Sequence, residues 1–244
     1  MKKLMVLSVL LLSVVSLLAG QMTAEEVIAK YLKAIGGEKN LKAVKSVMMQ
    51  GTTFAQGMSL QMRTYVVLPK KAYFEVLMGD MVISSGGTNG VDAWQQSPMG
   101  TFYLEGDLKE KIMKQAELFH LLDYKKQGIR VAYVGEELAK GKKAHRILAV
   151  TEKTDTISYW FDAETCYLIK AASPAGVKEM LQYKKVGDVV FSHKIKTAAP
   201  EGELVITFDS IAVNIEMSDS LFIMPKNAKP MPDLSKPAVE SKGK

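Results

Sequence analysis

From Ser46 onward the apolar residues of most segments return at every second position, and this period of two constrains the fold more than any other feature of the chain. In Met58-Ser59-Leu60-Gln61-Met62-Arg63-Thr64-Tyr65-Val66, for example, Met58, Leu60, Met62 and Val66 share one face, as in a half-buried strand. Similar segments occupy 46–55, 72–78, 81–85, 91–96, 129–136, 143–152, 157–162, 167–172, 176–185, 188–197 and 203–215, with Gly, Pro, Asn or Asp between them. Such short connections leave no room for crossover helices, so the expected sheet is mostly antiparallel. Along the last segment Leu204, Ile206 and Phe208 give way to Ile211, Val213 and Ile215, and the slip at Asp209-Ser210 predicts a bulge.

Two stretches follow the helical period instead. Thr23-Ala24-Glu25-Glu26 is a capping-box pattern, and Val27, Ile28, Tyr31, Leu32 and Ile35 then recur on one face until Gly36-Gly37 stops the helix. Leu41 and Val44 predict a short second turn before the chain straightens. The spacing of Leu108, Ile112, Ala116, Phe119 and Leu122, widened by Met113, Leu118 and Leu121, predicts one helix over 107–122. Without alternating strand and helix units a doubly wound fold is excluded, and a mainly β (α+β) class is expected.

Charge is concentrated at the ends of the chain. The formal net charge is +6 and the pI about 9.1, which invites a nucleic-acid reading. Lys2 and Lys3, however, precede an apolar run closed by Ala19-Gly20, which reads as a secretory signal peptide over 1–20 and predicts export. No cysteine near that point offers a thiol for acylation. Residues 226–244 carry five lysines and four of the prolines of 225–244 fall in or beside them, so a basic, flexible or extended tail is expected there. The remaining 21–225, read as a single domain, hold 25 Lys and Arg against 24 Asp and Glu. A body so nearly neutral, with its lysine pairs beside turns, lacks the clustered basic face that nucleic acid requires.

Sequence motifs for catalysis are missing as well. His120, His145 and His193 lie far apart, no paired cysteines accompany them, and neither a phosphate loop nor a nucleophile elbow occurs. Gly86-Gly87-Thr88-Asn89-Gly90 reads as hairpin punctuation, Asp162 and Glu164 as turn residues, and the single Cys166 as a half-buried structural thiol. No enzyme activity, metal or cofactor is expected. What stands out is methionine: eight of the 15 fall between Met48 and Met113, on the first strands and the interrupting helix. A flexible, polarisable side chain suits both irregular cores and surfaces that accept varied apolar ligands.

Several segments together resemble the periplasmic outer-membrane lipoprotein-sorting proteins, the LolA/LolB-like superfamily. They are Ala24-Glu25-Glu26-Val27-Ile28-Ala29-Lys30-Tyr31-Leu32-Lys33-Ala34-Ile35-Gly36-Gly37 with Leu41-Lys42-Ala43-Val44-Lys45-Ser46-Val47, then Thr88-Asn89-Gly90-Val91-Asp92-Ala93-Trp94 and Tyr159-Trp160-Phe161-Asp162-Ala163-Glu164-Thr165. Tyr183-Lys184-Lys185-Val186-Gly187-Asp188, Val213-Asn214-Ile215 and Asp219-Ser220-Leu221-Phe222-Ile223-Met224-Pro225 complete the set in the family's order. The resemblance implies a strongly curved, incomplete antiparallel β-barrel of about 11 strands, with helices covering an apolar cavity for acyl chains. It also implies a monomeric carrier that exchanges lipid or lipoprotein acyl chains with donor and acceptor proteins of the inner and outer membranes. The alternative on the same fold is an envelope scaffold or interaction module without lipid transport. The residues expected to line the cavity are Met58, Leu60, Met62, Phe74, Val76 and Met78 from the sheet, with Ile112, Ala116 and Phe119 from the helix. One departure stands at Leu68-Pro69, where the family's carriers place an arginine that hydrogen-bonds to the lid; Arg63 is the nearest arginine here.

Overall fold

The capping box forms as predicted. The Glu26 N–H donates to Thr23 Oγ1 at 3.1 Å and the Thr23 N–H to the Glu26 carboxylate at 2.9 Å, starting helix α1 (Ala24–Ala34). Gly36 and Gly37 then take positive φ, and a second short helix, α2 (Gly37–Ala43), follows. The computed structural model describes residues 22–232 except 56, 153, 154, 175, 200 and 201, so the expected signal segment and 233–244 lie outside the described residues.

Among the described residues fourteen strands follow, three more than the expected eleven or so, in a single sheet that does not close on itself. They are β1 (Ser46–Ala55), β2 (Met58–Val67), β3 (Lys71–Met78), β4 (Met81–Thr88), β5 (Ala93–Ser97), β6 (Gly100–Tyr103), β7 (Arg130–Ala139), β8 (Lys142–Val150), β9 (Thr156–Asp162), β10 (Leu168–Ser173), β11 (Gly176–Val186), β12 (Val189–Ala199), β13 (Gly202–Val213) and β14 (Lys229–Pro230). The described ladders are antiparallel except that of β14, which pairs parallel with Phe102 and Tyr103. The beginning of the stretch expected to be a tail therefore contributes a strand, and Met231 packs beside Ala93, Leu104 and Ile112.

The predicted bulge is present. Gln50 pairs with Ser210 and Gly51 with Phe208, leaving Asp209 as the extra residue on β13. The predicted helix over 107–122 is corrected: α3 spans only Gly106–Met113, a 3-10 turn (η1, Lys114–Ala116) tightens it, and Glu117 leaves helical geometry with ψ 61°. Its apolar residues are too many for one stripe. Breaking the helix lets Ala116 and Leu121 be buried, whereas Leu108 stays about half exposed. Gly86 and Gly87 are likewise strand residues of β4, and the turn begins at Asn89, whose side-chain oxygen accepts the Val91 and Asp92 N–H groups.

By packing density the chain divides into two compact units. The first comprises residues up to Ile35 with Asp123–Val177. Within it Val27 and Ile28 of α1 are buried and Tyr31 meets Phe161 at 5.2 Å between ring centroids, where burial, then Tyr159, push the Tyr31 hydroxyl up. Asp162 closes the β9–β10 hairpin by accepting the N–H groups of Glu164 and Thr165 and the Lys142 ammonium, each at 2.9 Å. Burial alone would raise its carboxyl, but these donors outweigh burial and hold it below the ordinary range. Asp162 is thus a turn residue, as read from the sequence, and Cys166 beside it is half-buried at φ 60°. The second unit, Gly36–Leu122 with Lys178 onward, contains every residue expected to line an apolar site.

Candidate functional site

Strand pairing in the second unit lays apolar side chains in rows across one sheet face. One row runs Val213, Val47, Val66, Ala72, Thr88 and Ala93, by direct pairing across β13, β1, β2, β3, β4 and β5. The next runs Ile211, Met49, Thr64, Phe74 and Gly86; the third runs Phe208, Gly51, Met62, Val76 and Ser84. The opposite face of β2 and β3 carries the Tyr65–Tyr73 ring pair and the Arg63–Glu75 ion pair at 3.2 Å. Period two therefore separates an apolar from a polar face.

From Val47 to Ala93 the first row is sealed: Val47 and Val66 are 0% exposed and Ala72 and Ala93 1%. Its cover is the α3–η1 segment, with Ala116 against Val66 and Ala72, and Ile112 against Ala93, Leu104 and Phe74. Leu68 packs in the same cluster as Ala116. Where the resemblance expects an arginine hydrogen-bonded to a lid, this chain joins sheet and cover by apolar packing. The Phe74 ring lies over Gly86, where an added Cβ would stand 2.8 Å from Phe74 Cζ and 2.7 Å from the Trp94 carbonyl oxygen. Glycine at that position makes room for the ring.

Met49 and Phe74 are half-buried and pack against the covered clusters. Met62, Val76 and Ile211 of the next rows are half-buried as well, neither sealed nor fully solvated. Of the nine residues expected to line the site, Leu60, Ile112 and Ala116 are buried, and Met62, Phe74, Val76 and Phe119 are half-buried. Met62 and Val76 are directly paired, and Phe74 joins Ile112. Met58 and Met78 stand at hairpin ends, 45% and 42% exposed. Phe119 follows η1 and meets Phe191 of β12 at 5.8 Å between centroids. Sequence reasoning missed Met49, Ile211 and Phe191 as neighbours of this face; the alternation in 203–215 carried the signal for Ile211.

His120 is half-buried, and burial, then the Lys178 ammonium, lower its pKa to about 4. The ring is neutral at pH 7. The unfolded chain, with the ordinary histidine value of 6.5, binds the proton first, so the stability due to neutral His120 is full above pH 6.5 and is lost as pH falls toward 4. Urea unfolding at pH 7 and pH 5 is expected to show this loss, below the limit of about 1.4 kcal/mol per pH unit that one proton sets. His120→Gln should flatten the dependence. A separate cleft of about 180 Å³ beside Asp92, Tyr103, Glu105, Lys109 and Met224 is smaller than the roughly 300–1,000 Å³ of small-molecule sites. Among the described residues no group of three or more His, Cys, Asp or Glu side chains is placed to hold a metal ion, and no helix is long and apolar enough to cross a membrane.

No family model and no curated protein sequence matches this chain. Solved structures do. A DUF1329 family protein from Desulfovibrio piger is similar with TM-score 0.58 at 10% identity, over 82% of this chain and 96% of its own. A domain described as an outer membrane lipoprotein-sorting protein from Vibrio parahaemolyticus gives 0.58 at 12% identity, over 81% and 94%. A LolA superfamily protein from Nitrosomonas europaea gives 0.56 at 10% identity, over 83% and 98%. The chain has a LolA-like fold, as the resemblance implied.

Proposed function

We propose that this protein is a periplasmic carrier that holds acyl chains of a lipid or lipoprotein on the open rows of the second unit's apolar face. The observation that supports this best is the half-buried state of Met62, Val76 and Ile211, with Met62 and Val76 directly paired, on the same sheet face as a packed helical cover. A core would seal them; a ligand face leaves them accessible until the ligand arrives. The likeness to structures described as lipoprotein-sorting and LolA superfamily proteins adds to it.

Energy favours this reading. Each buried methylene contributes about 0.8 kcal/mol, so a long acyl chain offers on the order of 10 kcal/mol before ordering costs. Methionine and valine accept such chains without fixed geometry, and binding needs no reacting group. Release then falls to acceptor proteins that offer a competing apolar site.

Native mass spectrometry of the protein purified from its own cell envelope tests the proposal. The expected result is a population heavier by the mass of a lipid or acylated peptide, which organic extraction removes and added lipid restores. Ligand-free protein that takes up no lipid would overturn it.

A further inference from the structure

We propose that β14 is a detachable latch: paired on the edge of β6 it holds the α3 cover down through Met231, and released it lets α3 lift, which extends the apolar face over Ala93 and Leu104. Only the use of this motion, to admit an acyl chain, rests on the reading above.

The cover has little of its own to hold it. Helix α3 has eight residues, its first residue Gly106 takes φ 55°, and the Glu105 side chain makes no capping hydrogen bond. Such a helix persists only through packing. Its single buried residue is Ile112, which sits with Ala93 and Leu104, and Phe74 and Met231 pack against that cluster. Part of the seat of α3 is thus supplied from the far end of the chain. Lys109 of α3 and Met224 line the cleft of about 180 Å³, which is space that no side chain fills.

The latch itself is weakly held. Strand β14 has two residues, both exposed, at the end of the sheet, and they pair with Phe102 and Tyr103 alone. Pro230 has no N–H to give to that ladder, and parallel pairing is the less stable kind. Upstream the same segment is anchored at a 3-10 turn, η2 (Asp219–Phe222): Phe222 is buried, Lys71 stands 5.8 Å over its ring, and the Lys71 ammonium meets Asp219 at 2.7 Å. Release therefore swings a short stretch and leaves its root in place. Latch and ligand converge on Phe74, which packs on the Ile112 cluster and lies in the row of Met49 and Ile211. A chain laid along that row presses on the residue that the latch secures.

Two variants of the full chain test this, with hexadecanol, a plain long-chain alcohol, as the probe. Tyr103→Cys with Pro230→Cys, in a Cys166→Ser background, joins directly paired residues by a disulfide and should slow hexadecanol uptake at least about tenfold until dithiothreitol restores it. Met231→Ser should do the opposite, speeding uptake and raising amide hydrogen exchange over 106–113 at least about tenfold while β1 and β2 keep theirs. A disulfide that does not form refutes the pairing itself, and equal uptake before and after its reduction overturns the gating. Unchanged exchange over 106–113 in Met231→Ser overturns the latch. So does exchange that rises as much in β1 and β2, because Met231 is then an ordinary core residue. If the unaltered protein takes up no hexadecanol the acyl reading falls, while the exchange pattern still decides the latch.

Discussion

Gly51→Ala is expected to destabilise the second unit by at least about 3 kcal/mol, among the larger losses a single substitution produces. A Cβ at this position would stand 2.2 Å from the Thr207 carbonyl oxygen, 2.8 Å from Phe208 Cα and 2.9 Å from the Thr207 carbonyl carbon. All three are backbone atoms, so no rotamer change relieves the contact. The neighbour that must move is β13, at the point where Asp209 bulges and the register passes from Gln50–Ser210 to Gly51–Phe208. Moving it breaks a ladder at the base of the apolar rows, because β1 pairs with β2 on its other side. Urea unfolding measures the loss. Gly57→Ala is the control, with a positive φ but nothing within 4 Å of the added carbon, and should cost only about 1 kcal/mol. Equal costs at the two positions would show that backbone freedom, not close approach, fixes Gly51.

Local chemistry was legible in the sequence where one segment carried the whole signal. Thr23 and Glu26 satisfy each other across three residues, and the slip at Asp209 interrupts an alternation visible along the chain. The rows of the candidate site followed in part, since alternate residues of a strand must share a face; Met62 and Val76 met because hairpin pairing opposed them. Short elements gave too little pattern. Strand β6 has four residues and β14 two, fewer than a period needs to declare itself, and β14 exists only because β6 offers it a free edge. The helix over 107–122 misled for the opposite reason: its apolar residues fit a helical stripe, but burying Ala116 against Val66 and Ala72 required the chain to tighten and turn.

Met62→Glu is expected to abolish lipid capture, weakening hexadecanol binding at least about a hundredfold, or about 2.7 kcal/mol, while the protein stays folded. The argument turns on the two states of one position. In the free protein Met62 is half-buried between Gly51 and Val76, and a carboxylate there can reach water by turning a flexible side chain. With an acyl chain laid along the row that water is excluded, and an unpaired charge under hydrocarbon costs several kcal/mol. The penalty therefore falls on the complex and largely spares the fold. Gln61→Glu places the same charge on the adjacent residue, which points to the opposite face and is exposed, and should leave binding unchanged. Met62→Leu, close in volume and still apolar, should retain most of the affinity. Full lipid binding by folded Met62→Glu would remove the open rows from the ligand site. Equal losses in Met62→Glu and Gln61→Glu would show that an added carboxylate on either face weakens binding, and would remove contact with the chain along this row as the cause.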